Sequence, residues 1–395
     1  MGFVELWEAL LPVGRQPGGG YRRYSWTGAD QECRSWFLAA AGERGLRAET
    51  DRNGNLWAWW EPPGTEGQPA VVTGSHLDSV PDGGAFDGPL GVVSGFAALD
   101  QLRADGVTPA RPVAVAAFTE EEGARFGIAC AGSRLLTGAL DPDRARALTD
   151  ADGTTLAAAM RTAGLDPQHL GPDAETMRRV GTHVELHVEQ GRALVDLGAA
   201  VGVASSIWPH GRGRLDLAGE ANHAGTTRLD DRDDPMLRLA AAVLAARRSA
   251  REHVTVATVG RVRVHPNGTN AIPSEVQAWL DVRAADEAAV RAVVAEVADA
   301  AHTEAVQESW TPEVTFAEEL RDRVAGLLGA LPVLPTAAGH DAGILADAGI
   351  EAAMLFVRNP TGVSHSPAEH AEVADCHAGA EALATVLADL TGAAG

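Results

Sequence analysis

The chain has 395 residues, a length that predicts two domains because a single hydrophobic core rarely grows that large. Its hydrophobic fraction of 45% and charged fraction of 22% are typical of globular proteins, and its net charge of −22 disfavours a nucleic-acid partner, whose phosphates it would repel. All 32 basic residues are arginine, which excludes a lysine Schiff base, a pyridoxal-phosphate lysine and a phosphate-loop lysine.

The cysteines and the N-terminal segment predict a cytoplasmic protein. Cys33, Cys130 and Cys376 are scattered without a paired spacing, which is typical of a reducing compartment. Residues 1–17 carry two glutamates and no basic leader, so we expect no secretory signal. No run of about 18 apolar residues occurs, and we therefore expect no membrane span.

Helices and strands alternate before residue 120. A helix is predicted over 30–45, where an amphipathic run closes at a glycine, and another over 91–104. Short apolar runs predict strands over 56–60, 70–73 and 112–119. This alternation predicts an α/β sandwich with a mostly parallel sheet, in which ligands bind at the carboxyl ends of the strands.

The character of the sequence changes near residue 208. A β-α-β-β-α-β order follows, and it predicts an inserted ferredoxin-like α+β domain over 209–320. The catalytic domain is then expected over 1–208 and 321–395, with a late strand in "IEAAMLFV" and a final helix over 375–391. The elements of the insert are a strand in "PHGRGRLDLAGEANHAG", a helix over 234–248, strands over 254–265 and 275–283, and a helix over 287–307.

Four groups of polar residues follow predicted strands. Alone, each has a simpler explanation, since a histidine at a strand end is usually structural and a run of glutamates is usually a solvated turn. Because they all fall at one edge of the predicted sheet, together they predict a functional site. The groups are His76 with Asp87; Glu120, Glu121 and Glu122; Glu185, His187, Glu189 and Gln190; and His365, Glu369 and His370.

Imidazoles and carboxylates in this combination favour a pair of divalent metal ions. Two such ions about 3.5–4 Å apart can share a hydroxide and polarise a carbonyl, which amide hydrolysis near neutral pH requires. The pair needs a bridging carboxylate and a further glutamate that moves the proton. Asp78 lies two residues after His76, so on an extended chain it shares a face with the imidazole and can orient it.

The motifs resemble those of the dinuclear-metal amidohydrolases of the aminoacylase/carboxypeptidase clan. The general pattern is His76-Leu77-Asp78, then Asp87-Gly88, then Glu121-Glu122-Gly123. The closer resemblance is to the N-carbamoyl-L-amino acid amidohydrolase and allantoate amidohydrolase (hydantoinase/carbamoylase) branch. It depends on "ELHVEQG", "GEANHAGTT", "HPNGTNAIP" followed by "LDVR", "AGHDA" and "GVSHSPAE", which cover nearly the whole chain in family order.

The resemblance implies two divalent metal ions per subunit, with zinc expected first and manganese, cobalt or nickel as alternatives. His76 and His187 would bind one ion, Glu122 and His365 the other, and Asp87 would bridge them. Glu121 would be the general base and acid. Relatives that act as exopeptidases usually carry a carboxylate where this chain has His187, which favours the ureido-cleaving branch.

The resemblance also implies that the insert is a lid that closes over the substrate and forms a homodimer. His223 would reach the partner's active site and stabilise the oxyanion. Asn270 would bind the substrate, and Arg283 would hold its carboxylate with a bidentate guanidinium, although an ordinary salt bridge would explain Arg283 equally well. Gln190 and His340 are further candidates for the substrate pocket.

We therefore expect a hydrolase that cleaves the ureido or carbamoyl C–N bond of an N-carbamoyl-L-amino acid or allantoate and releases ammonia. One alternative is an aminoacylase or dipeptidase of the same clan, and another is a catalytically inactive, metal-binding relative. Glu120 is best explained as a surface or supporting carboxylate. Arg358 and Asn359 lie where relatives vary, and their role in specificity stays open.

Overall fold

The computed structural model describes residues 2–392, which form two compact units. The first unit contains 2–205, 316–334 and 339–392, and the second contains Ser206–Thr315 and Pro335–Ala338. No helix within 2–392 is both long enough and apolar enough to cross a membrane. The three cysteines are buried and carry free thiols.

The α-helices of the described chain are α1 (Phe3–Leu10), α2 (Gly28–Glu43), α3 (Pro89–Ala104), α4 (Ala131–Thr137), α5 (Pro142–Ala147), α6 (Leu156–Thr162), α7 (Ala174–Arg179), α8 (Ala193–Leu197), α9 (Pro235–Glu252), α10 (Glu287–Ala300), α11 (Glu318–Leu327), α12 (Asp341–Asp347) and α13 (Val373–Leu390). Short 3₁₀ helices cover Pro167–His169 and Leu229–Asp231. The strands are β1 (Arg47–Thr50), β2 (Leu56–Trp60), β3 (Ala70–His76), β4 (Val113–Phe118), β5 (Val180–Val188), β6 (Val201–Ile207), β7 (His210–Ala218), β8 (Asn222–His223), β9 (Val256–His265), β10 (Ala271–Ile272), β11 (Glu275–Arg283), β12 (Ala305–Thr311), β13 (Val314–Thr315), β14 (Val333–Thr336) and β15 (Glu351–Val357).

The first unit is built on a mixed sheet with a parallel centre. The strand order is β1-β2-β4-β3-β5-β15-β6, and the four central strands β4, β3, β5 and β15 are parallel. Antiparallel strands flank them on both sides. β3 and β4 are buried along their whole length, as expected for parallel strands that are covered on both faces. The predicted α/β class with a largely parallel sheet is confirmed.

Helices cover both faces of this sheet. In β4, Val113, Val115 and Ala117 belong to one hydrophobic core, whereas Ala114, Ala116 and Phe118 between them belong to another. Because successive side chains of a strand point to opposite faces, this strict alternation places one core on each side. The first core includes apolar residues of α2, α3 and α13, and the second includes residues of α4 and α12.

The second unit has an antiparallel sheet of order β12-β7-β11-β9. Helices α9 and α10 pack on it through a core that includes Leu215, Leu239, Leu280 and Val293. The chain order β7-α9-β9-β11-α10-β12 is the predicted β-α-β-β-α-β order. A separate antiparallel pair, β8 with β10, lies outside this sheet.

The predicted ends of one helix and one strand are wrong. The helix predicted over 287–307 ends at Ala300, and the chain turns at His302, which has a φ of 51°, before it enters β12 beside β7. Cross-strand pairing therefore overrides the helical pattern there. The strand predicted over 70–73 continues to His76, because Gly74, Ser75 and His76 pair with the last three residues of β4.

Candidate metal centre

Asp87 lies between two groups of candidate ligands. Its Oδ1 lies 3.3 Å from His187 Nε2 and 3.5 Å from His76 Nε2, while its Oδ2 lies 3.5 Å from His365 Nε2. His365 Nε2 is also 3.5 Å from Glu122 Oε2. Within each trio, His76–Asp87–His187 and Asp87–Glu122–His365, one potential ligand atom per residue lies within 4.8 Å of the others. The carboxylate thus presents one oxygen to each group, as a bridging ligand must.

The parallel strands explain why residues so distant in sequence meet here. His76 ends β3, and His187 lies near the end of β5, which pairs with β3 in parallel. β4 ends just before Glu121 and Glu122, and β15 precedes the loop that carries His365. Because parallel strands end at the same edge, this edge collects the polar residues that follow them.

The imidazoles of the first trio are oriented by backbone carbonyls. His76 Nδ1 lies 3.1 Å from the carbonyl oxygen of Asp78, and His187 Nδ1 lies 2.9 Å from that of Val188. Each Nδ1–H therefore donates to a carbonyl, so Nε2 is the ring nitrogen that faces Asp87. This arrangement is typical of histidines that bind metal ions.

Gly88 allows the Asp87 loop to approach His76. Its φ of 84° lies in the left-handed region, and a Cβ at this position would overlap the His76 imidazole. Glycine is therefore required by both the backbone conformation and the available space. The predicted Asp87-Gly88 pair has a physical reason in this contact.

Glu121 is buried beside the first trio. Its Oε2 lies 3.7 Å from His76 Nε2, and its Oε1 accepts a hydrogen bond from the Cys130 thiol at 3.3 Å. Burial raises the pKa of Glu121 to about 7; His76 opposes this rise, and the negative charges of Asp78 and Asp87 add to it. A carboxyl group with a pKa near neutrality can both accept and return a proton.

Asp78 supports the loop that carries the two glutamates. Its Oδ1 accepts the backbone N–H of Glu121 and its Oδ2 accepts that of Glu122, each at 3.2 Å. Its Oδ1 also lies 3.7 Å from His76 Nδ1. The residue thus connects the end of β3 with the loop after β4.

The donor set fits divalent metal ions. Burial raises the pKa of Glu122 well above its usual range, and the negative charges of Asp87 and Glu121 raise it further. Burial acts on Asp87 in the same direction, but the imidazoles of His187 and His76 hold its pKa well below the usual range. Cations bound between such closely spaced buried carboxylates would stabilise their charged forms, and a mixed imidazole and carboxylate set suits zinc, manganese, cobalt or nickel.

Gln190 and His340, predicted in the substrate pocket, lie beside these trios. Gln190 Nε2 donates to Asp87 Oδ2 at 2.7 Å. The His340 ring packs edge-on against His187, with ring centroids 4.5 Å apart. Glu185, His187 and His340 form a third trio of potential ligands, but the Glu185 oxygens accept hydrogen bonds from the Ser75 hydroxyl and the Ala342 N–H.

Three residues whose roles the sequence left open support segments near the site. Of the two explanations predicted for Glu120, the surface carboxylate is wrong because the residue is 1% exposed, whereas the supporting carboxylate fits, because its Oε1 accepts the N–H groups of Arg125 and Phe126. Arg358 donates two hydrogen bonds to Asp375. The Asn359 side chain accepts the N–H groups of Thr361 and Gly362 and donates to the Val363 carbonyl. These contacts give all three residues a structural role.

The remaining predicted residues lie in the second unit. His223 Nδ1 accepts the N–H groups of Gly225 and Thr226, so the neutral ring carries its proton on Nε2. Asn270 precedes β10, and its carbonyl accepts the N–H of Ala224, next to His223.

Arg283 ends β11 in an ion pair. It donates from Nε and Nη2 to Asp281 and from Nη1 to the Ala337 carbonyl. An ordinary salt bridge, the alternative explanation for Arg283, is therefore present. Its guanidinium has N–H groups beyond these three bonds, so the role as a carboxylate clamp stays a prediction.

Sequence reasoning did not assign a role to Glu369. Its Oε1 accepts the backbone N–H groups of Phe86 and Asp87. The only signal in the sequence was its place in "SHSPAE", four residues after His365. The partner segment lies more than 280 residues earlier, which no local pattern could indicate.

Comparisons with known proteins place this architecture among hydrolases that act on C–N bonds. The chain is 40% identical to the N-carbamoyl-L-amino acid amidohydrolase of Geobacillus stearothermophilus over 96% of both chains. It is 31% identical to the allantoate amidohydrolase of Escherichia coli over 98% of both. A solved amidase of the hydantoinase/carbamoylase family from Burkholderia vietnamiensis superposes with a TM-score of 0.90 at 29% identity, covering 98% of this chain and 97% of that one.

The chain belongs to peptidase family M20/M25/M40, whose sequence model matches residues 72–389. The predicted relationship to the carbamoylase branch of amidohydrolases is confirmed by these relatives. They also confirm that the chain is a C–N hydrolase.

Proposed function

We propose that this enzyme hydrolyses the ureido or carbamoyl C–N bond of a small substrate that carries a carboxylate, with release of ammonia. An N-carbamoyl-L-amino acid is the first candidate, because the relative with that activity in its name shares 40% of its residues with this chain. Allantoate is the second. The geometric observation that carries the proposal is Asp87, with each oxygen facing one trio of ligands and Glu121 beside it.

The two trios would hold two divalent metal ions. His76 and His187 would bind one ion, Glu122 and His365 the other, and Asp87 both. Bound there, the ions would supply Lewis-acid polarisation of the carbonyl and a water molecule of lowered pKa. The backbone carbonyls of Asp78 and Val188 support this assignment. They contact Nδ1 of His76 and of His187, so that Nε2 of each ring faces Asp87.

Glu121 would move the proton. It would accept a proton from the attacking water and return it to the nitrogen that leaves when the C–N bond breaks. Two features of Glu121 support this role: a pKa raised to about 7 by burial, and a thiol from Cys130 that occupies Oε1 while Oε2 faces His76.

Five side chains would contact the substrate. We assign Gln190, His340 and Asn270 to polar contacts, and Arg283 to the substrate carboxylate. His223 would donate from Nε2 to the developing oxyanion, which its tautomer supports.

We also propose a homodimer formed through the second unit. On α9, Leu237 and Leu244 are 71% and 70% exposed and lie two turns apart on one face. Strand β9 is an edge of its sheet, and Val256 and Val262 on it are exposed. An exposed edge and apolar side chains of this kind favour a protein partner. Light scattering of Leu244→Arg should show a monomer, and a dimer that persists at micromolar concentration would contradict this interface.

An ammonia-release screen tests the function. Protein reconstituted with Zn²⁺ or Mn²⁺ is incubated with N-carbamoyl-L-amino acids, allantoate, N-carbamoyl-β-alanine and, as the competing class, N-acetyl amino acids. We expect turnover of a ureido substrate and little of the N-acetyl compounds. Preferred cleavage of N-acetyl compounds would refute the proposed substrate class.

Glu121→Gln tests the proposed base. We expect turnover to fall by at least about 10²-fold, while the metal content by elemental analysis stays that of the wild type. Near-normal turnover of this variant would show that another group moves the proton.

A further inference from the structure

One buried carboxylate from the C-terminal part of the chain holds the backbone of the Asp87 loop. Glu369 Oε1 accepts the N–H groups of Phe86 at 2.7 Å and Asp87 at 3.0 Å. Glu369 is only 6% exposed, so these two hydrogen bonds are shielded from water. They fix the segment from which the Asp87 side chain projects.

The loop and Glu369 fit each other closely. A Cβ at Gly84 would overlap the Glu369 carboxyl group, so only glycine permits this approach. The Ser364 hydroxyl lies 3.1 Å from Asp87 Oδ2 and 3.4 Å from Glu369 Oε2, and so contacts both carboxylates. The segment 364–369 therefore brings a candidate ligand, His365, and the support of Asp87 to the same place.

We infer that Glu369 is a positioning residue that holds Asp87 where its two oxygens face the two ligand groups. The inference rests on the proposed two-ion centre and adds a residue on which that centre depends. Glu369 acts through the backbone of Asp87 rather than on the substrate. Residues that support metal ligands in this way typically change metal affinity 10- to 100-fold when they are lost.

Zinc binding to the apoprotein tests this role directly. Each protein is stripped with a chelator and titrated with Zn²⁺, and the ions that remain after desalting are counted by elemental analysis. Glu369→Ala removes the acceptor. We expect its affinity for Zn²⁺ to be 10- to 100-fold weaker, and each protein molecule to retain about one ion or none after desalting. Glu369→Gln keeps an amide oxygen that can accept both N–H groups, so its affinity should stay within about threefold of the wild type.

Asp173→Ala is the matched control. Asp173 is also 6% exposed, and its Oδ1 accepts the N–H groups of Glu175 and Thr176, but it caps α7 rather than supporting a candidate ligand. Its loss should lower the unfolding temperature without changing Zn²⁺ binding. Where a ureido substrate is turned over, Glu369→Ala should lower kcat and Glu369→Gln should restore it.

The outcomes separate the inference from the proposed function. A wild-type protein that does not bind two ions would refute the two-ion centre itself. A wild type with two ions and a Glu369→Ala variant with unchanged affinity would refute only the role of Glu369. Equal losses in the Ala and Gln variants would also refute it, because charge rather than the acceptor would then be the cause. If Glu369→Ala does not fold by circular dichroism, Gly84→Ala decides, since its methyl group must displace Glu369; unchanged binding there would refute the inference.

Discussion

Replacement of Asp78 by asparagine should weaken both the fold and the catalytic site. In the wild type, the two carboxylate oxygens accept the N–H groups of Glu121 and Glu122, each at 3.2 Å. Asparagine keeps one acceptor oxygen and turns an NH₂ group towards the other N–H. One charge-assisted hydrogen bond is lost and one buried N–H is left without an acceptor, which costs about 1.5–3 kcal/mol.

The effect on activity follows from the two glutamates. Glu121 is the proposed base and Glu122 a proposed ligand, so a displaced backbone moves both groups. Loss of such a support typically costs 10- to 100-fold, or about 1.4–2.7 kcal/mol of transition-state stabilisation. We expect the loss mainly in kcat, because Asp78 does not take part in the proposed binding of substrate.

Urea unfolding of the apoprotein and ammonia release by the reconstituted enzyme measure the two effects separately. Asp173→Ala is the control, since it removes a buried acceptor of two backbone N–H groups at the start of α7, away from the site. It should lose stability but keep kcat. If Asp78→Asn loses stability and yet keeps kcat and metal content within about twofold, Asp78 supports only the fold and the reasoning is refuted.

Two further predictions concern the sheet and the metal-site loop. His183 is fully buried in β5, stacks on Phe118, and burial lowers its pKa from 6.5 to about 3. The unfolded chain therefore takes up the proton first, and between pH 6.5 and 3 this residue removes about 1.4 kcal/mol of stability per pH unit as the pH falls. His183→Phe should abolish that part of the slope in urea unfolding; an unchanged slope would contradict a neutral buried imidazole. Gly88→Ala should destabilise the protein and reduce Zn²⁺ binding, because its methyl group overlaps His76. Gly64→Ala has a similar φ of 87° with open space around it and should show only the backbone strain of about 1–3 kcal/mol, so equal Zn²⁺ binding in the two variants would argue against the contact.

The order of elements and the edge of the sheet that carries the site could be read from local patterns. Short apolar runs predicted β2, β3 and β4, because strands that are covered on both faces of a sheet need apolar residues on both. The polar residues that follow each strand then had to meet, because parallel strands share one carboxyl edge. This reasoning from the sequence places His76, His187 and Glu121 together.

Only the tertiary structure decided how those residues are held and where some elements end. The helix predicted over 287–307 stops at Ala300, because the segment that follows pairs with β7 rather than with itself. Glu120 is buried because its carboxylate accepts N–H groups of its own loop, and Arg283 is bound by Asp281 across one intervening residue.

The contact between Glu369 and Asp87 shows most clearly which features the sequence determines and which depend on the tertiary structure. The sequence determines which side chains can bind a metal ion, since that depends on chemical type and local spacing. Which backbone groups those side chains meet is set by the path of the whole chain, and residues 282 positions apart leave no periodic signal of their contact. The ligands of the proposed centre can thus be predicted from the sequence, whereas the hydrogen bonds that orient them form only when the chain folds.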